Sequence, residues 1–344
     1  MKRVQLFACI LVALGGTPAA ATNSLPELEQ VKLDLLSWLP GKYSSTPQII
    51  MERQYGAPSD GEHADLFRVF ARVDVPDVGS DVIFGELRSG GPDGTVVPGS
   101  QVLYILSIVP EVGAVSVRGK RVKNFVDFDP DNISAASLAA LEIDAESGGD
   151  CDFRWRRHGQ QLVGRLAETG DPTFDGTCTM TSRASAVTMT WDTEWVLTPW
   201  ELWIHDNGYI GEAIDEAELF QGRRDGTFQR FYKQRDFVCQ LDIKTEENAQ
   251  RITGQVVVAD RGSEISIDPP SPEASPLVIS LMRGYWAVDG APGMTERLRL
   301  TVKWSGAQQA LGETWSDPLA TEIATDTDVG DVVCMLPQQG TGEL

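Results

Sequence analysis

The apolar positions of this chain change their period near residue 40. Leu28, Val31, Leu35 and Leu39 recur at helical spacing and form one apolar stripe. Ser24 with Glu27 three residues on makes a capping box, and Pro26 falls in the first turn, where its missing N–H costs nothing. A helix is therefore expected from about Leu25 to Leu39, stopped by Pro40-Gly41. Beyond it the period is two. Phe67, Val69, Ala71, Val73 and Val75 share one strand face, with Arg68, Arg72 and Asp74 on the other. Phe153 and Trp155 alternate with charged neighbours, and Val187, Met189, Trp191, Trp195 and Leu197 alternate with Thr188, Thr190, Asp192 and Glu194. Such alternation predicts antiparallel sheet with one covered face. Val102 to Val109 is apolar on both faces and reads as a more deeply buried strand.

Turn signals at Gly90-Gly91-Pro92-Asp93-Gly94 and Asp206-Asn207-Gly208 separate these runs, and a second helix is expected from Ser134 to about Ile143. Many strands with few helices predict a mainly β fold. A barrel or a sandwich fits this pattern. The expected form is an antiparallel β-barrel, a twisted sheet closing on itself, with an N-terminal helix, plus a small C-terminal β unit that could equally be extra strands of the same sheet. The chain divides into a signal segment over 1–21, a barrel over 22–238 and a C-terminal β extension with a loose tail over 239–344, which begins near Cys239 and carries the stiff Pro269-Pro270-Ser271-Pro272 loop. A barrel of this size holds one small ligand.

The N-terminus changes the picture of where this fold works. Lys2-Arg3, the apolar run Leu6 to Leu14 and Ala19-Ala20-Ala21 are the three parts of a secretory signal. The run is too short to cross a bilayer of about 30 Å, so no membrane span is expected and the protein is read as periplasmic or secreted. Cys151, Cys178, Cys239 and Cys334 remain after cleavage, an even count that reads as two disulfides in an oxidising compartment. Three pairings are possible; Cys151–Cys178 and Cys239–Cys334 each close one contiguous segment and are favoured. No pair of cysteines has zinc-knuckle spacing and the three histidines are scattered, so no metal site is expected. Asp127-x-Asp129-x-Asp131 lacks the Gly and Glu of a calcium loop, having Asn132 and Leu138 there, and reads as an acidic turn. The formal charge of −21 becomes −23 once Lys2 and Arg3 leave, which disfavours nucleic acid and anionic membrane surfaces as partners.

The segment Leu35-Leu36-Ser37-Trp38-Leu39-Pro40-Gly41-Lys42-Tyr43-Ser44-Ser45, followed by Gln48, resembles the opening of the CpcT/CpeT family of bilin lyases. Phe84-Gly85-Glu86-Leu87, Asp127 to Leu141, Cys151 with Trp155, Gly164, Cys178, Glu194, Asp206-Asn207-Gly208 and Gly226-Thr227-Phe228 follow in the family's order. The resemblance spans about residues 25 to 236 and is one of order and spacing. It implies a calyx that binds a linear tetrapyrrole, with lyase activity attaching the bilin to a cysteine of an acceptor protein. The reacting thiolate then belongs to the acceptor, so no cofactor and no catalytic motif are expected here. Where the family carries a Tyr-Arg-Gln-Arg type strand, this chain reads Gly99-Ser100-Gln101-Val102-Leu103-Tyr104, without an arginine. That departure keeps open an alternative, an exported non-catalytic module holding another hydrophobic small molecule.

Five residues follow as ligand-binding candidates. Glu86 and Glu194 offer carboxylates to pyrrole N–H groups, against the plainer reading of each as a solvated or paired strand residue. Trp155 and Trp191 offer aromatic walls, although aromatic stripes on strands are more often core. Tyr104 offers a hydroxyl beside the missing arginine. His63, His158 and His205 form no motif and read as surface residues.

Overall fold

The computed structural model describes residues 24–57, 62–75, 78–124, 141–144, 151–171, 173–181, 187–211, 218–223, 226–244, 251–269, 275–287 and 293–337. The signal segment, the Asp127–Asp131 turn and most of the helix expected from Ser134 lie outside them. Ile143, the expected end of that helix, pairs with Val122 in an isolated bridge.

Helix α1 (Leu25–Trp38) forms where the apolar stripe placed it, and the Ser24 N–H donates to the Glu27 carboxylate at 2.6 Å. After it come β1 (Gly41–Ser44), α2 (Thr46–Gln54), β2 (Leu66–Val75), β3 (Gly79–Ser89), β4 (Thr95–Val96), β5 (Val102–Val109), β6 (Ala114–Arg121), β7 (Cys151–His158) and β8 (Gln161–Glu168). Then follow β9 (Thr177–Thr181), β10 (Thr188–Leu197), β11 (Glu201–Ile210), β12 (Glu218–Gln221) and β13 (Gln229–Lys233). Hydrogen bonding runs β11-β13-β1-β2-β3-β5-β6-β7-β8-β10, and β10 pairs back onto β11. The result is a closed antiparallel barrel of ten strands, with no free edge around its girth.

One apolar cluster fills part of the barrel. Inward side chains such as Tyr43, Phe70, Ile83, Trp155, Leu197 and Phe231 pack with Val31, Leu35, Leu36 and Leu39 of α1. Two inward groups, the Tyr43 hydroxyl and Lys233 Nζ, both donate to the Trp38 carbonyl at the end of α1, each at 2.7 Å. The helix therefore closes one end of the barrel.

Strand β2 reverses the expected facing. Phe67, Val69, Val73 and Val75 are buried on the outer face, where Val73 and Val75 join Val82, Phe84, Leu103 and Val122 in an outer cluster. Arg68 and Phe70 point inward instead. Both faces of β2 are covered, so alternation could not tell inside from outside. The Asp206-Asn207-Gly208 turn is likewise replaced: these residues lie within β11. Asn207 is buried and exchanges bonds with the Arg223 backbone, accepting at 2.7 Å and donating at 3.0 Å, which removes the local demand for a turn.

The remaining strands are β14 (Asp236–Lys244), β15 (Arg251–Ala259), β16 (Arg261–Ile267), β17 (Leu277–Ala287), β18 (Met294–Trp304), β19 (Gly312–Ser316), β20 (Glu322–Thr327) and β21 (Gly330–Met335). They form two four-stranded sheets, β15-β14-β21-β20 and β16-β17-β18-β19, which share one core of residues such as Phe237, Ile279, Leu300 and Val332. Both favoured disulfides are present. Cys151–Cys178 ties β7 to β9, and Cys239–Cys334 joins directly opposed residues of β14 and β21.

Candidate functional site

Strand register settles which side chains face the barrel interior. Opposed positions run Tyr43–Arg68–Leu87, Phe70–Gly85, Ile83–Tyr104–Gly119 and Trp155–Gly164–Trp195–Ile204, and Thr193 opposes Asp206. Side chains opposed in this way share one face of a sheet, and the inner apolar cluster identifies that face as the interior. Tyr104, Trp155 and Trp191 of the five expected residues are therefore inward.

Glu86 and Glu194 are not. Each sits one residue out of phase with the inner face. Glu86 is buried on the outside, where Arg88 Nε and Gln101 Nε2 both donate to its carboxylate at 2.7 Å. Glu194 pairs with Arg165 across the sheet, at 2.7 Å to Nη2. Both carboxylates are satisfied ion-pair partners of outer-face arginines, and neither reaches the interior. Two of the three histidines also differ from expectation, whereas His158 is exposed as expected. His63 is buried, with Nδ1 2.6 Å from Glu52, and His205 lies 3.3 Å from Asp192, whose hydrogen bond raises its pKa. No metal-binding group of His, Cys, Asp and Glu exists among the described residues.

The interior is aromatic and carries charge. Phe70, Tyr104, Phe153, Trp155 and Trp195 touch edge to face or tilted, with ring centres 5.1 to 6.4 Å apart. The barrel wall makes room for them with glycine: a Cβ on Gly85 would lie 2.6 Å from Tyr104, and one on Gly164 would lie 2.5 Å from Phe153. Against this floor lies Arg68, its guanidinium carbon 5.3 Å from the Trp195 ring centre and 5.4 Å from that of Phe231.

Arg68 is electrostatically unfinished. Its Nε has no hydrogen-bond acceptor, and no carboxylate of a described residue forms an ion pair with it. Trp195 Nε1 likewise lacks an acceptor. Burial lowers the Arg68 pKa, and it raises those of Tyr104 and Asp206; the charges of these three groups act on one another as secondary causes. Thr193 donates to Asp206 at 2.9 Å. Although enclosed deeply enough for desolvation to dominate, all three keep partly accessible surface. The inner face therefore carries a cation without an ion-pair partner in contact, a carboxyl, a phenol and aromatic faces.

Arg68 escaped sequence reasoning because charge alternating with apolar residues reads as a solvent face, and Asp206 because Asp206-Asn207-Gly208 reads as a turn. One signal pointed the other way: Phe70, an aromatic on the same face as Arg68. No family model matches the chain, and no curated protein is similar to it. Among solved structures, the CRL protein of Arabidopsis is similar at 14% identity and a TM-score of 0.42, over 60% of this chain and 97% of that one. A likeness this distant bears on neither ligand nor activity.

Proposed function

We propose that the barrel binds a linear tetrapyrrole, or another long flat molecule with a carboxylate, in the manner of the CpcT/CpeT family. The observation that carries this reading is Arg68. An unpaired guanidinium inside a protein costs several kcal/mol, and a propionate-like group entering the barrel would supply the missing acceptor bidentately. The aromatic wall suits a conjugated ring system, and Asp206 is placed to accept pyrrole N–H groups. The arginine absent from the Tyr104 strand is thus replaced from β2.

All four described cysteines are in disulfides, so an attaching thiol would come from an acceptor protein. The protein's part in such a transfer is to hold the bilin in a reactive conformation. The two disulfides and the signal-like start support export, where the same barrel also serves as a carrier without transfer chemistry.

Titrating the oxidised chain with biliverdin, followed by visible absorption and circular dichroism, tests the reading. A saturable red shift with induced dichroism is expected, and Arg68→Met should bind at least about tenfold more weakly. Methionine keeps contact with the two rings and removes the unpaired charge, so the variant is expected to unfold at no lower urea concentration than the parent. Absence of any spectral change up to a dissociation constant of about 30 µM, roughly 6 kcal/mol, would remove the tetrapyrrole.

A further inference from the structure

The outer face of the sheet β16-β17-β18-β19 carries a second constellation, remote in kind from the barrel interior. Leu277, Ile279, Leu281, Leu298, Leu300 and Val302 are buried between the two small sheets, so the alternate residues of β17, β18 and β19 face outward. Register brings Arg299 opposite both Met282 and Trp315, and sets Thr301 opposite Glu313. Trp286 lies on the same face, two residues beyond Gly284. A Cβ on Gly284 would fall 3.0 Å from the far edge of the Trp286 ring, so the indole leans over the bare glycine backbone.

Trp286 and Trp315 meet at 4.9 Å between ring centres, with their planes at 81°. The Arg299 guanidinium carbon is 5.5 Å from the first and 5.4 Å from the second. Arg299 Nε and Thr301 Oγ1, both buried beneath this face, have no hydrogen-bond partner among the described residues. Trp315 is 41% exposed, and its Nε1 donates to Glu313 at 3.0 Å. Large aromatic rings held at the surface beside an unpaired guanidinium mark binding sites, because they offer area at low entropic cost.

We propose that this face binds a saccharide chain bearing carboxylates, with uronic-acid units as the recognised group. The apolar C–H face of a pyranose ring stacks on an indole, and the sugar's hydroxyls reach the exposed Glu313 carboxylate. A sugar carboxylate answers Arg299 through the planar donor fork that suits it. The acidic net charge of the whole chain does not forbid this. Charges beyond a Debye length of about 8 Å are largely screened at physiological salt, and the local excess on this face, with Arg297 and Arg299 against Glu313, is positive.

Calorimetric titration of the full oxidised chain with a galacturonate trimer tests the inference, with cellotriose as the neutral comparison. Saturable binding of the uronate is expected, at least about tenfold tighter than that of the neutral trimer. Trp315→Ala should abolish it and Arg299→Gln should reduce it to the neutral level. Trp315 is exposed enough that its variant keeps the parent circular dichroism spectrum, which separates lost binding from lost fold. No saturable heat with the uronate, equal affinity for the neutral trimer, unchanged affinity in Trp315→Ala, or tighter binding of a hexaglutamate peptide would each overturn the proposal.

Discussion

Lys233 reaches from β13 to the closed end of the barrel, where Nζ donates to the Trp38 carbonyl and lies 5.7 Å from the Tyr43 ring centre. A neutral carbonyl and an aromatic face replace only part of an ammonium's hydration, and burial holds the Lys233 pKa down to about 8. The unfolded chain has a lysine near its ordinary value of about 10.5. Below pH 8 both states are protonated and the full cost of the buried charge is present. Between pH 8 and 10 the unfolded state binds more protons, so stability rises with pH. An increase of about 2 kcal/mol is expected between pH 7.5 and 9.5, and Lys233→Met should flatten the profile. Above pH 10 the trend reverses, because burial raises the pKa values of Tyr43 and Tyr232 and their phenols ionise first in the unfolded chain. Urea unfolding at several pH values gives the slope directly; a parent profile that is level over this range would mean the ammonium is solvated.

Strand β8 shows how an element shapes the interior. Gly164 is opposed on both sides by tryptophans, Trp155 of β7 and Trp195 of β10. The Trp155 and Phe153 rings occupy the space its side chain would need. Gly164→Ala should cost about 2 kcal/mol by forcing the two rings apart. Gly119→Ala, whose added carbon meets only Val102 at 3.3 Å, should cost clearly less. Equal losses for the two, read from urea midpoints, would show that the aromatic floor yields easily. The elements that sequence pattern located well are those of simple context. Helix α1 has a cap, a stripe and a stop, and β5 matches its expected bounds because it is flanked by Gly and Pro. In β7 and β10 the aromatic residues really are the inner face. Strand β2 defeats the pattern because apolar layers cover it on both sides, and α2 carries too short a stripe to announce itself. At the site, Trp155 and Trp191 were legible as aromatic positions on a covered strand face, while Tyr104 was singled out for its hydroxyl alone. Arg68 was not legible, since nothing local distinguishes a charge facing an enclosed interior from one facing solvent, and Asp206 was hidden in an Asp-Asn-Gly stretch that reads as a turn. For Glu86 and Glu194 the plainer of the two readings holds, each being an outer-face strand carboxylate paired with an arginine.

At the scale of the whole molecule, the barrel and the two small sheets are joined by polar contacts centred on Glu201, at the start of β11. Its carboxylate accepts from Arg230 Nε and Nη2 at 2.8 to 2.9 Å, from Trp203 Nε1 at 2.8 Å, and from Arg283 Nη2 of β17 at 2.9 Å. Arg283 Nε continues to Glu296 at 2.8 Å, and the Tyr232 and Tyr285 hydroxyls meet at 2.9 Å across the same junction. Arg283 is 5% exposed, so its charge depends on these carboxylates rather than on water. Removing one partner of such a network leaves a buried charge uncompensated, which is more damaging than never having built the pair. Glu201→Gln keeps the shape and some hydrogen bonding but takes away the charge shared by two guanidiniums. A loss of about 3 kcal/mol is expected, and its form matters more than its size. If Glu201 couples the barrel to the small sheets, the parent unfolds in urea as one transition by tryptophan fluorescence and far-ultraviolet dichroism, and the variant separates into two. A variant that loses less than about 1 kcal/mol and still unfolds in a single step would place the coupling elsewhere, in the apolar contacts alongside.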